Sequence, residues 1–116
     1  MTGLQARLRA DLLSARKARD TAATAVLRST LSAIANAEAL PVAEAALSSD
    51  GPIAGAASGA GATEAARRDL TDDDVRRIIS AEQTERLSAA TDLESHGAGE
   101  KAEQLRAEAE LLAAYL

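Results

Sequence analysis

The sequence lacks most of the residue types that carry chemistry. It has no cysteine, tryptophan or phenylalanine, and it has one tyrosine and one histidine among 116 residues. Without cysteine there is no disulfide framework and no thiolate nucleophile, and a single histidine argues against an imidazole zinc site or a Ser-His-Asp triad. The scarcity of aromatic rings removes the stacking platforms that read single-stranded nucleic acid. We therefore expect no catalytic residue, no metal and no cofactor.

Long apolar runs are also missing. No run approaches the roughly 18 apolar residues that a transmembrane helix needs. Arg7, Arg9 and Asp11 stand where a signal peptide would be apolar. We expect a soluble, cytoplasmic protein with no membrane partner.

Proline is scarce, and glycine is concentrated in one central stretch. Roughly a quarter of the residues are alanine, and most large apolar residues are leucine, which is a helical composition. The sequence predicts an all-α fold, a single domain over residues 1–116, built as an antiparallel bundle of about four helices in two hairpins. Residues 41–69 contain both prolines and most of the glycines, and they are predicted to form a long flexible Gly/Ala loop within it.

Helix boundaries are predicted from capping signals. Thr2 with Gln5 has the spacing of a capping box, and so has Thr71 with Asp74. The first helix is expected to end near Arg19, with Asp20 and Thr21 as a break and new cap. The fourth helix is expected from about Glu100 to Tyr115, after a stop at Gly97 and Gly99.

The second helix is predicted to stop near Leu40, because Pro41 disfavours a helical residue before it. A further helical turn is allowed over residues 43–47. Residues 51–62 read GPIAGAASGAGA, and no Gly-Lys-Ser/Thr sequence follows, so a surface loop is favoured over a phosphate cradle.

Apolar residues repeat at helical spacing in all four segments and predict the core. The predicted positions are Leu4, Leu8, Leu12, Ala15, Val26, Leu27, Leu31, Ile34, either Ala37 or Glu38, Val75, Ile78, Ile79, Leu87, Ala90, Leu93, Ala102, Leu105, Ala109, Leu112 and Leu116.

Several short motifs occur in an order that resembles a known family. They are the sequences of residues 16–20, 26–28, 33–38, 70–75, 82–86 and 101–116. Together they resemble GatB/YqeY-like proteins, which are related to the C-terminal region of the GatB polypeptide of the glutamine-dependent tRNA amidotransferase. The small final helical domain of longer relatives has no counterpart in this sequence. The resemblance implies a noncatalytic helical accessory module that contacts tRNA. The family label also carries carbon-nitrogen ligase activity with glutamine as amide donor, although the catalytic machinery lies in other parts of that enzyme.

Basic charge is concentrated near the start of the chain. The formal charge is −5 overall, with a positive balance over residues 1–40 and a strongly negative one over residues 70–116. Arg16, Lys17, Arg19 and Arg28 are predicted to cluster near the first helix joint and to contact an RNA phosphate backbone. The alternative is that they are solvated and complement the dipole at the end of the first helix.

Other polar residues are open to two interpretations. Asn36, Glu38, Glu82 and Arg86 could form a polar network across the bundle that fixes helix register, or an active site. The three aspartates 72–74 favour a helix start over a cation site.

The lone histidine and tyrosine are assigned structural roles. His96 is expected to cap a helix C-terminus rather than bind a metal. Tyr115 is expected to pack its ring on the bundle and keep its hydroxyl in water.

Three functions stay open from the sequence. The first is an accessory module that binds tRNA or amidotransferase subunits. The second is a protein-interaction module without RNA, which could pair with a second copy of itself. The third is an amide-transfer component of an enzyme, which only the family label supports.

Overall fold

A computed structural model describes residues 2–48 and 69–116, with side chains described for residues 2–39 and 69–116. Within these ranges the chain forms four α-helices and no strand: α1 (Gly3–Lys17), α2 (Thr21–Ser48), α3 (Asp72–Ser95) and α4 (Gly99–Ala113). The predicted all-α helical bundle is confirmed. Residues 49–68, the greater part of the predicted flexible loop, lie outside the described residues.

The second helix is longer than predicted. It runs through Pro41 to Ser48 instead of stopping near Leu40, so that prediction is wrong. The fixed φ of proline is itself compatible with a helix, and the residue removes one backbone N–H donor without ending the element. Seven of the fifteen other residues between positions 33 and 48 are alanine, which favours continuation of the helix.

The helix N-termini are capped as predicted. In α1 the Gln5 N–H donates to Thr2 Oγ1 at 3.0 Å, and the Thr2 N–H donates to Gln5 Oε1 at 3.0 Å. Thr71 and Asp74 form the same reciprocal pair at the start of α3. Asp20 begins α2 by accepting from the Ala23 N–H at 3.1 Å. Each cap satisfies donors that a helix start leaves unpaired.

The C-termini of α1 and α3 share one geometry. After α3 the Gly97 N–H donates to the Glu94 carbonyl and the Ala98 N–H donates to the Leu93 carbonyl, and Gly97 has a positive φ of 83°. This is a Schellman motif with glycine at the left-handed position. The chain after α1 repeats both hydrogen bonds, but its left-handed residue is Arg19, with φ 59°.

The core is built from aliphatic side chains of all four helices. Its largest fully buried apolar members are Leu8, Val26, Ile34, Val75, Ile79 and Leu112. Helix α1 packs against α2, α3 packs against α4, and further contacts of α2 and α1 with α3 and of α2 with α4 join them. Because only three residues separate α1 from α2, the end of α1 and the start of α2 lie side by side.

Two predicted core positions are wrong. Leu87 is 44% exposed and Leu116 is 50% exposed. At 100° per residue, Leu87 lies about 60° around the helix from the buried Ala90. Leu116 follows the end of α4 at Ala113, so helical spacing no longer determines where its side chain lies.

Candidate anion-binding site

A concavity of about 500 Å³ lies at the joint between α1 and α2. It is lined by Arg16 from the last turn of α1, Arg19 from the joint, and Thr21, Thr24, Ala25 and Arg28 from the first two turns of α2. The α2 residues face one way because positions three and four apart share a face of a helix. The short joint then brings the end of α1 alongside that face.

Three of the four residues predicted to contact RNA line this concavity, and Lys17 does not. Lys17 is exposed on the last turn of α1, about 100° around the helix from Arg16. Sequence reasoning missed Thr21 and Thr24. Their positions seven and four residues before Arg28 were the signal that could have found them.

Among the described residues, the concavity is lined by three arginines and by no acidic side chain, although Asp20 stands between Arg19 and Thr21 in the sequence. Elsewhere, Arg76, Arg77, Arg86 and Arg106 each form an ion pair with a carboxylate. The described residues provide no such pair for Arg16, Arg19 or Arg28, so these three guanidinium groups are available to an external anion.

The backbone of Arg19 is a second feature of the site. A left-handed φ brings the Cβ of any residue except glycine close to the neighbouring carbonyl oxygen. Asparagine and aspartate tolerate it better than arginine. At the equivalent left-handed position after α3, the chain has a glycine, Gly97. The long basic side chain at position 19 therefore carries a conformational cost, and it lines the concavity.

The predicted polar network is built differently from the prediction. Arg86 Nη1 lies 3.1 Å from Glu82 Oε1, and Arg86 Nε lies 3.2 Å from Glu108 Oε1. Ser29 Oγ donates to Glu82 at 3.3 Å. The three charged side chains are each less than a fifth exposed, so the network ties α3 to α4 and to α2.

Asn36 and Glu38 lie elsewhere on α2. Asn36 is seven residues beyond Ser29, which is about 10 Å along a helix, and it is exposed. Arg86 pairs with Glu108 of α4 and not with Asn36 or Glu38 of α2. Sequence reasoning missed it because the pairing of Arg86 with Glu108 depends on how α3 and α4 face each other.

The three aspartates at the start of α3 are engaged in separate interactions. Asp73 pairs with Arg76 and Asp74 pairs with Arg77, while the Leu4 N–H donates to Asp72 Oδ1 at 3.2 Å. Hydrogen bonds from Thr2 and from the Leu4 backbone hold the pKa of Asp72 below its usual range. Within the described ranges no three His, Cys, Asp or Glu side chains are grouped to hold a metal ion.

His96 and Tyr115 have structural partners. His96 is the C-cap of α3, as predicted, and its Nδ1 lies 2.7 Å from the Asp92 carbonyl oxygen. The Tyr115 ring is buried as predicted, but the expectation of a hydroxyl left in water is wrong, because the hydroxyl donates to Asp11 Oδ2 at 2.5 Å. The Arg7 guanidinium carbon lies 4.6 Å from the ring centroid.

Comparison of the chain with protein-family models, curated proteins and solved structures finds no match. The GatB/YqeY-like resemblance accordingly stays a prediction from the sequence motifs. No helix in the described ranges is long and apolar enough to cross a membrane.

Proposed function

We propose that the protein is a noncatalytic helical module that binds tRNA through the concavity at the α1–α2 joint. One observation carries the proposal: Arg16, Arg19 and Arg28 converge on a single concavity that no acidic side chain of the described ranges lines. Guanidinium groups recognise phosphate oxygens through paired N–H donors. A cluster of three such groups is suited to a phosphate-rich partner.

The charge distribution supports a directed contact. The first 40 residues are net positive, whereas residues 70–116 are strongly negative. A polyanion is attracted to the α1–α2 joint and repelled from the acidic helices, which gives the encounter an orientation. Because the chain as a whole is negative, we expect the affinity for RNA to be low and sensitive to salt.

The predicted partners agree with this role. The sequence motifs resemble a family related to a component of a tRNA amidotransferase, so tRNA and amidotransferase subunits are the partners we propose. Carbon-nitrogen ligase activity rests on the family label alone, and we assign no residue to it.

The test is a titration with tRNA at three salt concentrations. Replacing Arg16, Arg19 and Arg28 together by glutamine should flatten the slope of log affinity against log salt by about two to three units, because each phosphate charge that a basic side chain neutralises contributes close to one unit. The matched control replaces Arg9, Arg76 and Lys101 by glutamine. It removes the same three charges from positions that do not line the concavity and should leave the slope nearly unchanged.

Two results contradict the proposal: no tRNA binding by the natural protein at low salt, or equal changes of slope in both variants. In the first case the protein-interaction function takes its place, and sizing at several protein concentrations then tests whether copies of the chain associate. The half-exposed side chains of Leu13, Leu87 and Leu116 are apolar area that such an association could cover.

A further inference from the structure

The concavity at the α1–α2 joint has the size of a small-ligand site. Its volume of about 500 Å³ lies in the range of pockets that hold small molecules. A concavity of this volume is too small for a whole RNA duplex but can hold a single phosphate with its sugar.

The lining chemistry favours a phosphate of high charge. An internal phosphodiester carries one negative charge, whereas a terminal phosphate monoester carries about 1.5 to 2 at neutral pH and has three free oxygens. Arg16, Arg19 and Arg28 offer three positive charges with forked donors, and the hydroxyls of Thr21 and Thr24 are further donors in the same lining. A terminal phosphate can therefore form more charge-assisted hydrogen bonds with this set of donors than an internal phosphodiester can.

The lining selects for phosphate and not for a base. Its described residues include no aromatic ring, and their apolar contribution is Ala25 and the threonine methyl groups. Base stacking on a protein is strongest on a flat aromatic ring, and the described lining offers none. The attached base is therefore expected to have little influence on affinity.

We infer that this concavity binds a terminal phosphate or diphosphate group, carried by an RNA end or by a free phosphorylated small molecule. The inference rests on the anion-binding role of the same site in the proposed function. It adds the class of ligand, and it assigns Thr21 and Thr24 as further phosphate-binding residues. The left-handed Arg19 supplies one of the three guanidinium groups.

The experiment has two arms, both at constant ionic strength and both followed by backbone amide NMR. In the first arm, sodium pyrophosphate is titrated into the protein, with sodium chloride as the reference salt. Shifts should concentrate in residues 16–28. The Arg16, Arg19 and Arg28 to glutamine variant should bind pyrophosphate at least about tenfold more weakly, while the charge-matched Arg9, Arg76 and Lys101 to glutamine variant stays within about twofold.

The single variant Arg19→Gly tests the same inference even if the triple glutamine variant does not fold. Glycine adopts the left-handed conformation freely, so the fold is preserved while one guanidinium is lost. Pyrophosphate affinity should fall by about threefold to tenfold. The Thr21→Val variant should weaken binding by a smaller factor.

The second arm compares tRNA carrying a 5′-phosphate with the same tRNA dephosphorylated to a 5′-hydroxyl. Tighter binding of the phosphorylated form, with competition by pyrophosphate, identifies the RNA end as a source of the ligand. If pyrophosphate binds in the first arm but tRNA does not bind, the inference stands with a free phosphorylated molecule as the ligand, and the proposed tRNA function fails.

Other outcomes overturn the inference. If both forms of tRNA bind equally and pyrophosphate causes no localised shift, the site is a backbone contact and the terminal-phosphate inference is wrong, while the tRNA function survives. Equal loss of pyrophosphate binding in the two charge-matched variants shows attraction by net charge alone and also overturns it.

Discussion

Arg19 occupies a backbone conformation that glycine adopts more readily, at the end of the first helix. The hydrogen bonds around it are those of the Schellman motif that also follows α3, where the equivalent residue is Gly97. A helix end that needs only to terminate is satisfied by glycine. Arginine at this position combines a conformational cost with a guanidinium group in the lining of the concavity.

Removing the Cβ at position 19 should therefore stabilise the protein. Arg19→Gly is expected to raise the free energy of unfolding by about 0.5–1 kcal/mol, measured by denaturant titration. Arg19→Ala is the matched control, because it removes the same charge and keeps the strained Cβ. Equal stability of the two variants would show that the left-handed backbone carries no cost here.

Tyr115 binds the end of the chain to the first helix. Its hydroxyl donates to Asp11, and the Arg7 guanidinium lies over its ring and donates to the Ala114 carbonyl at 3.2 Å. Burial, then the hydrogen bond to Asp11 and the negative charge of that carboxylate, raise the pKa of the phenol above its usual range. The folded protein thus keeps the phenol protonated at a pH where the unfolded chain ionises it.

This raised pKa predicts a loss of stability in alkali. The contribution is fully present below the unfolded tyrosine pKa of about 10 and declines as the pH rises above that value toward the folded pKa. Tyr115→Phe should cost about 1–2 kcal/mol at pH 7 through the lost hydrogen bond, and it should remove most of the decline that begins as the pH passes about 10. Thermal unfolding of both proteins across this range checks it; parallel curves would contradict the assignment.

The helix ends show which elements can be inferred from sequence. The caps formed by Thr2, Asp20 and Thr71 are local, since donor and acceptor lie three residues apart, and the sequence predicts all three. It does not predict the end of α2, because the rule for Pro41 is a preference that a run of strong helix formers outweighs. Element boundaries are predictable where one hydrogen bond determines them and less so where opposing propensities compete.

The start of α3 allows a comparison between a cap and a core residue. Thr71→Ala should cost about 1 kcal/mol through the lost capping bond, whereas Ile79→Ala should cost about 2–4 kcal/mol because it leaves a cavity at a fully buried position. Denaturant titrations rank the two, and Arg76→Ala, which removes an exposed ion pair, should change stability by less than either. A larger loss at Thr71 than at Ile79 would contradict the packing described for α3.

At the scale of the molecule, the sequence predicts the class of fold but not the pairs of side chains that join its helices. Helical periodicity places Ile79 and Leu112 inside, and composition argues against strands and excludes disulfides. The joint between α1 and α2 is short enough that the convergence of Arg16 with Arg28 could be expected. The pairing of Arg86 with Glu108 depends on helix rotation and is not predictable from spacing.

The contacts of Tyr115 also have a consequence for the connectivity of the chain. Because Arg7 donates to the Ala114 carbonyl, the residues that follow α4 lie beside the second turn of α1. A short linker from residue 116 to residue 2 can therefore close the chain into a ring, and the ring can be reopened between α2 and α3. In such a circular permutant α4 is followed directly by α1 in the sequence. The order in which the helices are synthesised changes, while the α1–α2 joint and its arginines stay on one continuous segment.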